Sequence, residues 1–275
     1  MLDGSTKVYG VIGNPIEHTR SPMIHNYLAE KYGINMVYVP FLVQDDDLKD
    51  AIVGMKGLGM HGLNVTVPYK YEAVRFVDEL SDEAGDLKSI NTIIHDDGKL
   101  YGYNTDAYGF EMLLKQEEIS LAGKKVLVLG AGGAAPAVVY SLIRESECAV
   151  DILNRTKEKA VSIVNNMRKL GFKNVGVGAI EEKYDIIVNT TSVGLSEEDV
   201  SPLADYSLIK EDGVLIDLLY NPAKTIFLEI GEALGVQGVN GLSMLLYQAF
   251  YAFELFTGIM PTQEYFVYLQ GVLSE

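Results

Sequence analysis

The chain has one cysteine, Cys148, in 275 residues, so no internal disulfide can form and a reducing cytoplasm is the expected setting. Next to an apolar strand, that thiol reads as a buried small hydrophobe. Positive charge is scarce as well: 22 Lys and Arg stand against 38 Asp and Glu, a net charge of −16. A surface of that sign repels nucleic acid and anionic membranes, and no Lys/Arg cluster offsets it. An overall balance says little, however, about any single pocket. The first residues, MLDGSTK, lack a basic region followed by an apolar one, so no signal peptide is expected. The long uncharged stretch from Val126 to Ile143 contains three glycines and Pro136, and reads as a turn between elements rather than a membrane span. The histidines at 18, 25, 61 and 95 show no ligand spacing, so no metal site is expected. No repeat, low-complexity tract or obvious linker interrupts the chain. These absences leave a soluble protein acting on a small molecule, as a monomer or homodimer.

What is present is alternation. Val8–Ile12, Met36–Leu42 and Leu63–Val67 read as strands. Between them, Ser21-Pro22 opens a helix that Gly33 stops, with Ser21 as N-cap, and Asp45–Met55 forms a second, acidic-capped helix. Tyr69–Leu80 reads as helical. Asn91–His95 and Leu100–Tyr103, joined through Asp97-Gly98, read as a hairpin at the sheet edge. The second half alternates again: strand Val126–Leu129, helix to Arg144, strand Val150–Leu153 and helix Lys157–Leu170, then strands at Val175–Val177, Asp185–Asn189 and Val214–Asp217. Gly241–Phe256 is a helix apolar nearly all round, as expected of one buried on several sides. The expected fold is α/β, with two open α/β lobes and a cleft between them. Residues 1–106, completed by 241–275, form an N-terminal substrate-binding lobe, and 107–240 form a Rossmann-type dinucleotide-binding lobe.

The second lobe rests on KKVLVLGAGGAA, Lys124 to Ala135: a strand, a glycine turn and a helix in the G-x-G-x-x-G/A form. Gly130 turns the backbone, Gly132 allows close approach to a pyrophosphate, and Ala135 lets the helix pack on the sheet. The free N–H groups at the helix start then face phosphate. About twenty residues further on, NAD-binding units place an acid for the ribose 2′-hydroxyl. Here stand Asn154-Arg155-Thr156, with Lys157 and Lys159 behind. Arginine binds a 2′-phosphate through paired charge-assisted bonds, so NADP is favoured. A glycine turn that merely closes a strand–helix joint, and an Arg155 that merely faces water, remain open at this point.

In the first lobe, four segments collect small polar residues at strand ends: His18–Ser21, Asn64–Lys70, Ile90–Thr92 and Tyr103–Asp106. Ligands in α/β sheets sit beyond the carboxyl ends of strands, and amides with hydroxyls suit a polyhydroxylated substrate. Lys70 and Asp106 are the charged candidates. Hydride transfer to a ketone leaves an alkoxide that needs a proton, which an ammonium can stabilise and supply. A carboxylate neighbour favours the charged lysine, so Lys70 is easier to support as an acid in the reductive direction than as a neutral base. The plainer roles are a solvated Lys70, turn-forming Asn64 and Asn91, helix-capping Ser21 and Asp106, and a Gln248 that bonds a backbone carbonyl.

Taken together, GNPIEHTRSPMIHN, LNVTVPYK, INTI, GYNTD, GAGGAA, NRT, NTTSVG, DLLYNP and GLSMLLYQA resemble the shikimate dehydrogenase family over almost the full chain. The resemblance implies NADPH-dependent reduction of 3-dehydroshikimate to shikimate, on the route to chorismate and the aromatic amino acids. It implies that Thr19 and Ser21, assisted by Tyr220, hold the substrate carboxylate. Asn64, Thr66, Asn91 and Gln248 would bind ring hydroxyls, with Lys70 and Asp106 as the catalytic pair. Gly130, Ala131, Gly132, Gly133 and Ala134 would cradle the pyrophosphate, and Asn154, Arg155, Thr156 and Lys159 the 2′-phosphate. Leu218, Gly241 and Met244 would line the nicotinamide side, with Asp82 a weaker assignment to the cofactor. The chain departs from the family pattern at Thr19, where serine is usual, at Pro136, and at Ala107, where glycine is common. Thr19 keeps the hydroxyl, but its methyl narrows the pocket and bears on shikimate against quinate. Two alternatives stay open: a quinate/shikimate dehydrogenase of broader specificity, and a non-catalytic sensor of shikimate-type metabolites, which predicts loss of Lys70 or Asp106.

Overall fold

The structure is a computed structural model describing residues 2–144, 147–178, 183–195 and 200–274. Its chain divides into two compact units: residues up to Asp106 with Gln248–Leu269, and Ala107–Tyr247 with the residues from Gln270 onward.

The first unit begins β1 (Lys7–Gly13), α1 (Ser21–Lys31), β2 (Met36–Leu42), α2 (Leu48–Gly57) and β3 (Gly62–Val65). Short β–α joints put these strands side by side and parallel, β1 pairing with both β2 and β3. Next come β4 (Glu79–Leu80), α3 (Asp82–Leu87), and the hairpin β5 (Thr92–Asp96) and β6 (Lys99–Tyr103). The hairpin pairs antiparallel with β3, and β4 lies parallel outside β6, giving the mixed order β2-β1-β3-β5-β6-β4. The hairpin is therefore inside the edge that the sequence assigned to it.

Two sequence expectations fail in this unit. Tyr69–Leu80 is not a helix: after a short 3-10 turn at Ala73–Phe76 the backbone extends at Val77. The reason is tertiary pairing. Asp78 N–H donates to the Leu100 carbonyl, the Asp78 carboxylate accepts from Leu100 N–H, and Glu79–Leu80 joins β6. Nor is Ser21 a helix cap; it is the first residue of α1, and Arg20 holds the cap position without a side-chain bond. The Thr19 hydroxyl accepts the Ser21 N–H instead, at 3.3 Å. The acidic stretch Asp45–Asp47 makes a 3-10 turn before α2 starts.

The second unit carries α4 (Asp106–Gln116, from Ala107), β7 (Lys125–Leu129), α5 (Ala135–Arg144), β8 (Ala149–Leu153), α6 (Lys157–Lys169) and β9 (Val175–Val177). There follow β10 (Tyr184–Asn189), β11 (Ile209–Asp217), α7 (Ile226–Ala233) and β12 (Gln237–Asn240). All are parallel, in the order β12-β11-β10-β7-β8-β9. This is the doubly wound Rossmann order, with its reversal point beside β7, where β10 and β8 flank it. Both faces of such a sheet are covered, so Val126–Leu129 and Ile186–Asn189 are buried without alternation. Cys148 is wholly buried just before β8.

The chain closes with α8 (Leu242–Thr257) and α9 (Gln263–Leu273), and the division between units falls in α8 after Tyr247. The later part of α8 packs in the first unit. Tyr9 donates its hydroxyl to the Phe256 carbonyl at 3.1 Å, and a Cβ on Gly62 would overlap the Phe256 ring. His25, fully buried on α1, stacks on Tyr38 at 4.3 Å with Phe253 and Phe256 beside it. No helix among the described residues is long and apolar enough to cross a membrane.

Candidate functional site

In the first unit, Lys70 follows a turn that leaves β3 through Val67-Pro68. The turn is held at several points: Asn14 N–H donates to the Val67 carbonyl, and Tyr69 N–H to that of Thr66. The Tyr69 hydroxyl donates to the Val43 carbonyl and to Asp45, at 2.7 and 2.8 Å. Ile90 N–H then closes on the Lys70 carbonyl at 2.9 Å. A stiff backbone thus delivers a flexible side chain. Asp106 arrives from the other direction, as the first residue of α4. Its N–H donates to Asn104 Oδ1, and Asn104 Nδ2 donates to the Ser89 carbonyl.

The two meet with Lys70 Nζ 2.6 Å from Asp106 Oδ2, the side chains 13% and 6% exposed. Desolvating both ions offsets most of their attraction, so such a pair adds little stability and its presence points to chemistry. The second carboxylate oxygen accepts from Asn91 Nδ2 at 2.9 Å. Asn91 Nδ2 also donates to Thr105 Oγ1, while its Oδ1 accepts from Thr105 N–H and the Thr92 hydroxyl, all at 2.9 Å. Asn64 Nδ2 donates to the Asn91 carbonyl and to Thr92 Oγ1, at 3.0 and 2.9 Å. Asn64 Oδ1 accepts from Tyr38 at 2.6 Å. Burial drives the Tyr38 phenol well above its usual pKa, with the Ser21 hydroxyl acting the other way, so Tyr38 is a permanent donor. Asn64, Asn91, Thr105 and Asp106 are all buried, and a buried polar network is stable only when its members satisfy one another in this way.

Of the other residues expected on this side, Gln248 lies in the same unit, its Oε1 3.4 Å from Thr105 Oγ1. Thr66 follows β3 with its methyl packed where a Gly13 side chain would be, and its hydroxyl takes no part in the network. Thr19 precedes α1 and Ser21 begins it, both half-buried. Asp82 is exposed at the start of α3, after a Ser81 cap that accepts from Ala84 N–H. Tyr220 belongs to the second unit.

In the second unit the expected residues lie beyond the carboxyl ends of the strands. Gly130 follows β7 at φ 104°, a conformation that disfavours any side chain, and a Cβ there would stand 2.7 Å from Thr190 Oγ1. Gly132 is exposed, with open space where a Cβ would sit, as a backbone that must approach a phosphate requires. Ala131, Gly133 and Ala134 complete the turn into α5. At the end of β8, Asn154 folds over to donate to the Thr156 carbonyl at 2.8 Å. Arg155, Thr156 and Lys159 are exposed, and neither cation has an ion-pair partner among the described residues. Leu218 follows β11 and touches Gly241 directly: Gly241 N–H donates to the Leu219 carbonyl, and a Cβ on Gly241 would collide with the Leu218 carbonyl. Met244 is buried in the first turn of α8.

Sequence reasoning gave no role to Tyr38, Thr92 or Thr105 in the first unit, nor to Asn189 and Asp217 in the second. Thr92 and Thr105 sit inside motifs already singled out, but the hydroxyl partners of an amide are not legible without the fold. Tyr38 carried a usable signal, since a tyrosine at an inward strand position needs a partner for its hydroxyl.

Three family profiles match. The shikimate dehydrogenase substrate binding domain covers residues 11–93, shikimate/quinate 5-dehydrogenase covers 112–218, and the shikimate 5′-dehydrogenase C-terminal domain covers 241–266. The chain is 41% identical to a shikimate dehydrogenase (NADP(+)) of Carboxydothermus hydrogenoformans, over 94% of this chain and 95% of that one. Its fold superposes on the crystal structure of shikimate dehydrogenase from Aquifex aeolicus with a TM-score of 0.90 at 40% identity, covering 99% of each chain. The Thermus thermophilus shikimate 5-dehydrogenase, solved in complex with NADP(H) and shikimate, superposes with a TM-score of 0.87 at 32% identity, covering 98% of this chain and 100% of that one. With likeness of that extent in sequence and in fold, the chain belongs to the shikimate dehydrogenase family.

Proposed function

We propose that the protein is an NADP-dependent shikimate dehydrogenase, reversibly reducing 3-dehydroshikimate to shikimate in chorismate biosynthesis. The observation that carries this reading is the buried Lys70–Asp106 pair, at 2.6 Å, wired into a cluster of amides and hydroxyls. Relatives of matching length are shikimate dehydrogenases (NADP(+)), which supports both the substrate and the cofactor.

Residues up to Asp106, with Gln248–Leu269, are the substrate-binding domain, and the second unit is the NADP-binding domain. Thr19 and Ser21, with Tyr220, hold the substrate carboxylate. Ser21 suits that task because its side chain is not spent on capping α1. Asn64, Thr66, Asn91 and Gln248 receive the ring hydroxyls. The nucleotide side also fits its ligand. Open space at Gly132 admits the pyrophosphate to backbone N–H groups, and Arg155 and Lys159, exposed and without an ion-pair partner among the described residues, offer positive charge to a 2′-phosphate. Leu218, Gly241 and Met244 flank the nicotinamide, and Asp82 is a weaker cofactor contact. When bound, NADPH supplies the hydride.

The chain's own part in the reaction is the proton and the field. Lys70 directs its ammonium at the substrate oxygen, stabilises the negative charge that forms there, and gives up a proton. Asp106 fixes that nitrogen and keeps one oxygen for the substrate hydroxyl, its other contact being the Asn91 amide. In the oxidative direction the same proton returns to Lys70. Asn64 Oδ1, which among the described residues accepts only from Tyr38, keeps a lone pair for a ring hydroxyl, whereas Asn91 takes one by exchanging a bond it makes to Thr105 or Asp106. The enzyme acts in the cytoplasm as a monomer or homodimer, in keeping with its lone buried cysteine.

Steady-state assays of the purified protein with shikimate and quinate, each with NADP+ and NAD+, test the reading. Oxidation of shikimate with NADP+ at the highest kcat/KM supports it. Comparable rates on quinate would turn the assignment to the broader quinate/shikimate enzyme, as Thr19 in place of serine allows. No turnover with any pair, in a folded protein that binds shikimate, would reject catalysis in favour of a sensor.

A further inference from the structure

We infer that Asn189 and Asp217 are positioning residues that join the pyrophosphate and nicotinamide walls of the nucleotide site into one rigid piece. The inference rests on the reading of the second unit as the NADP-binding domain.

Asn189 ends β10 and Asp217 ends β11, opposite each other in register, and neither side chain has any solvent exposure. Asn189 Nδ2 donates to Asp217 Oδ1 at 2.9 Å. From this shared bond, each residue reaches a different wall. Asn189 Oδ1 accepts from the N–H and the hydroxyl of Thr191, at 3.0 and 2.7 Å, and its Nδ2 also donates to the Val193 carbonyl at 3.3 Å. That fixes the turn from Thr190 to Gly194. The turn in turn backs the glycine turn: Thr190 donates through both its N–H and its hydroxyl to the Leu129 carbonyl, at 2.8 Å each. Thr190 Oγ1 and Thr191 Cγ2 occupy the space that a side chain on Gly130 would need.

Asp217 serves the other wall. Its Oδ1 accepts from Leu219 N–H at 3.1 Å, and its Oδ2 from the Thr225 hydroxyl at 2.6 Å. Leu218 N–H donates to the Asn189 carbonyl at 3.0 Å, and Gly241 packs against the Leu218 carbonyl. The segment that leads to Tyr220 is therefore set by Asp217, and Gly241 is set by that segment. A shift of either buried side chain moves both walls. The 2′-phosphate end, at Asn154 to Lys159, hangs on β8 and α6 and has no bond to this pair. The network therefore acts on one end of the nucleotide and spares the other.

A carboxylate wholly enclosed costs free energy unless donors surround it, and here three do: Thr225, Leu219 N–H and Asn189. Asp217→Asn keeps the shape and replaces an acceptor by a donor, which must then face Thr225 or the Asn189 amide. Calorimetric titration of the full chain, with NADP+ and with adenosine 2′-monophosphate, which lacks the 5′-phosphate, separates the two ends of the site. Asp217→Asn is expected to weaken NADP+ by about tenfold, as loss of buried hydrogen bonds to a charged group does, and to leave the 2′-monophosphate within about twofold. Thr225→Val should weaken NADP+ in the same selective manner, by about three- to tenfold, with Thr225→Ser restoring it. These two variants decide the matter should Asp217→Asn fail to fold. Unchanged NADP+ affinity in a folded variant, or equal weakening of both ligands, would overturn the inference. If the unmodified protein binds neither ligand, the NADP assignment fails instead, whatever the variants do.

Discussion

In the first unit, Lys70, Asp106, Asn64 and Asn91 bond to one another and are largely closed to solvent; in the second, Arg155 and Lys159 stand exposed with no ion-pair partner among the described residues. The difference follows from what each side has to bind. A small hydroxylated acid offers several ring hydroxyl groups and a single carboxylate, and discriminating those hydroxyls requires amides and hydroxyls already fixed in direction, since loose ones would lose rotamer freedom on binding. A nucleotide carries several negative charges, and exposed cations with backbone N–H groups can capture those without prior wiring. Substitutions in the first unit should therefore change stability together with turnover or substrate KM, whereas those at the nucleotide end should change affinity and leave stability alone.

The largest break in that contrast comes from Lys70→Ala. Loss of the ammonium is expected to lower kcat by about two decades or more, the usual scale for a positioned acid, while shikimate KM moves by only about threefold. Steady-state kinetics with a melting curve as control give both readings. A raised KM with kcat intact would make Lys70 a binding group only. Next in size is Arg155→Ala, expected to raise the Kd for NADPH by about ten- to a hundredfold, the worth of charged hydrogen bonds to phosphate, with NADH changed by less than about threefold. Its melting temperature should equal that of the unmodified protein, because the side chain is exposed. Equal loss of NADPH and NADH would remove Arg155 from the 2′-phosphate.

How much of this was legible beforehand depended on whether the signal was local. Strand, glycine turn and helix at Lys125–Arg144 lie within one stretch of chain, and the structure reproduces them nearly residue for residue. Met36–Leu42 and Val175–Val177 match in full, because apolar runs bounded by turn residues carry their own period. Tyr69–Leu80 misled for the opposite reason: its helix-like spacing yields to pairing with β6, a partner some twenty residues away in sequence. Ile226–Ala233 and Gln263–Leu273 were not read as helices at all. At the site, the motifs named Lys70, Asp106, Asn64 and Asn91; the position of Tyr38 signalled that its hydroxyl needs a partner, but that the partner is Asn64 follows only from the pairing of β1 with β2 and β3.

The wired unit also carries the acid sensitivity. Burial pushes His25 down from its usual 6.5 to about 3. Between those values the unfolded chain holds a proton on His25 that the folded chain excludes, so stability is present above about pH 6.5 and is lost as pH falls toward 3. Replacing His25 by Phe, which retains the stack on Tyr38, should flatten that acid limb in urea unfolding curves measured from about pH 7 to pH 4. A limb of unchanged slope would show that His25 does not govern it.

The smallest expected effect is the one that probes the wiring most directly. Tyr38→Phe removes a single oxygen. The ring still stacks on His25, and Asn64 Nδ2 keeps both of its bonds, to the Asn91 carbonyl and Thr92. What is lost is the donor to Asn64 Oδ1, a buried acceptor that water reaches poorly, at a cost of about 1–3 kcal/mol. The melting temperature should fall by a few degrees, at about 2–4 °C per kcal/mol for a chain of this order of size. Shikimate KM should rise by only about two- to fivefold with kcat nearly unchanged, since the amide is loosened but still present. Removing one oxygen from the nucleotide side, by Thr156→Val at an exposed position, should leave the melting temperature where it was. If the two variants melt alike, Asn64 does not depend on Tyr38 for its direction, and the first unit is no more pre-wired than the second.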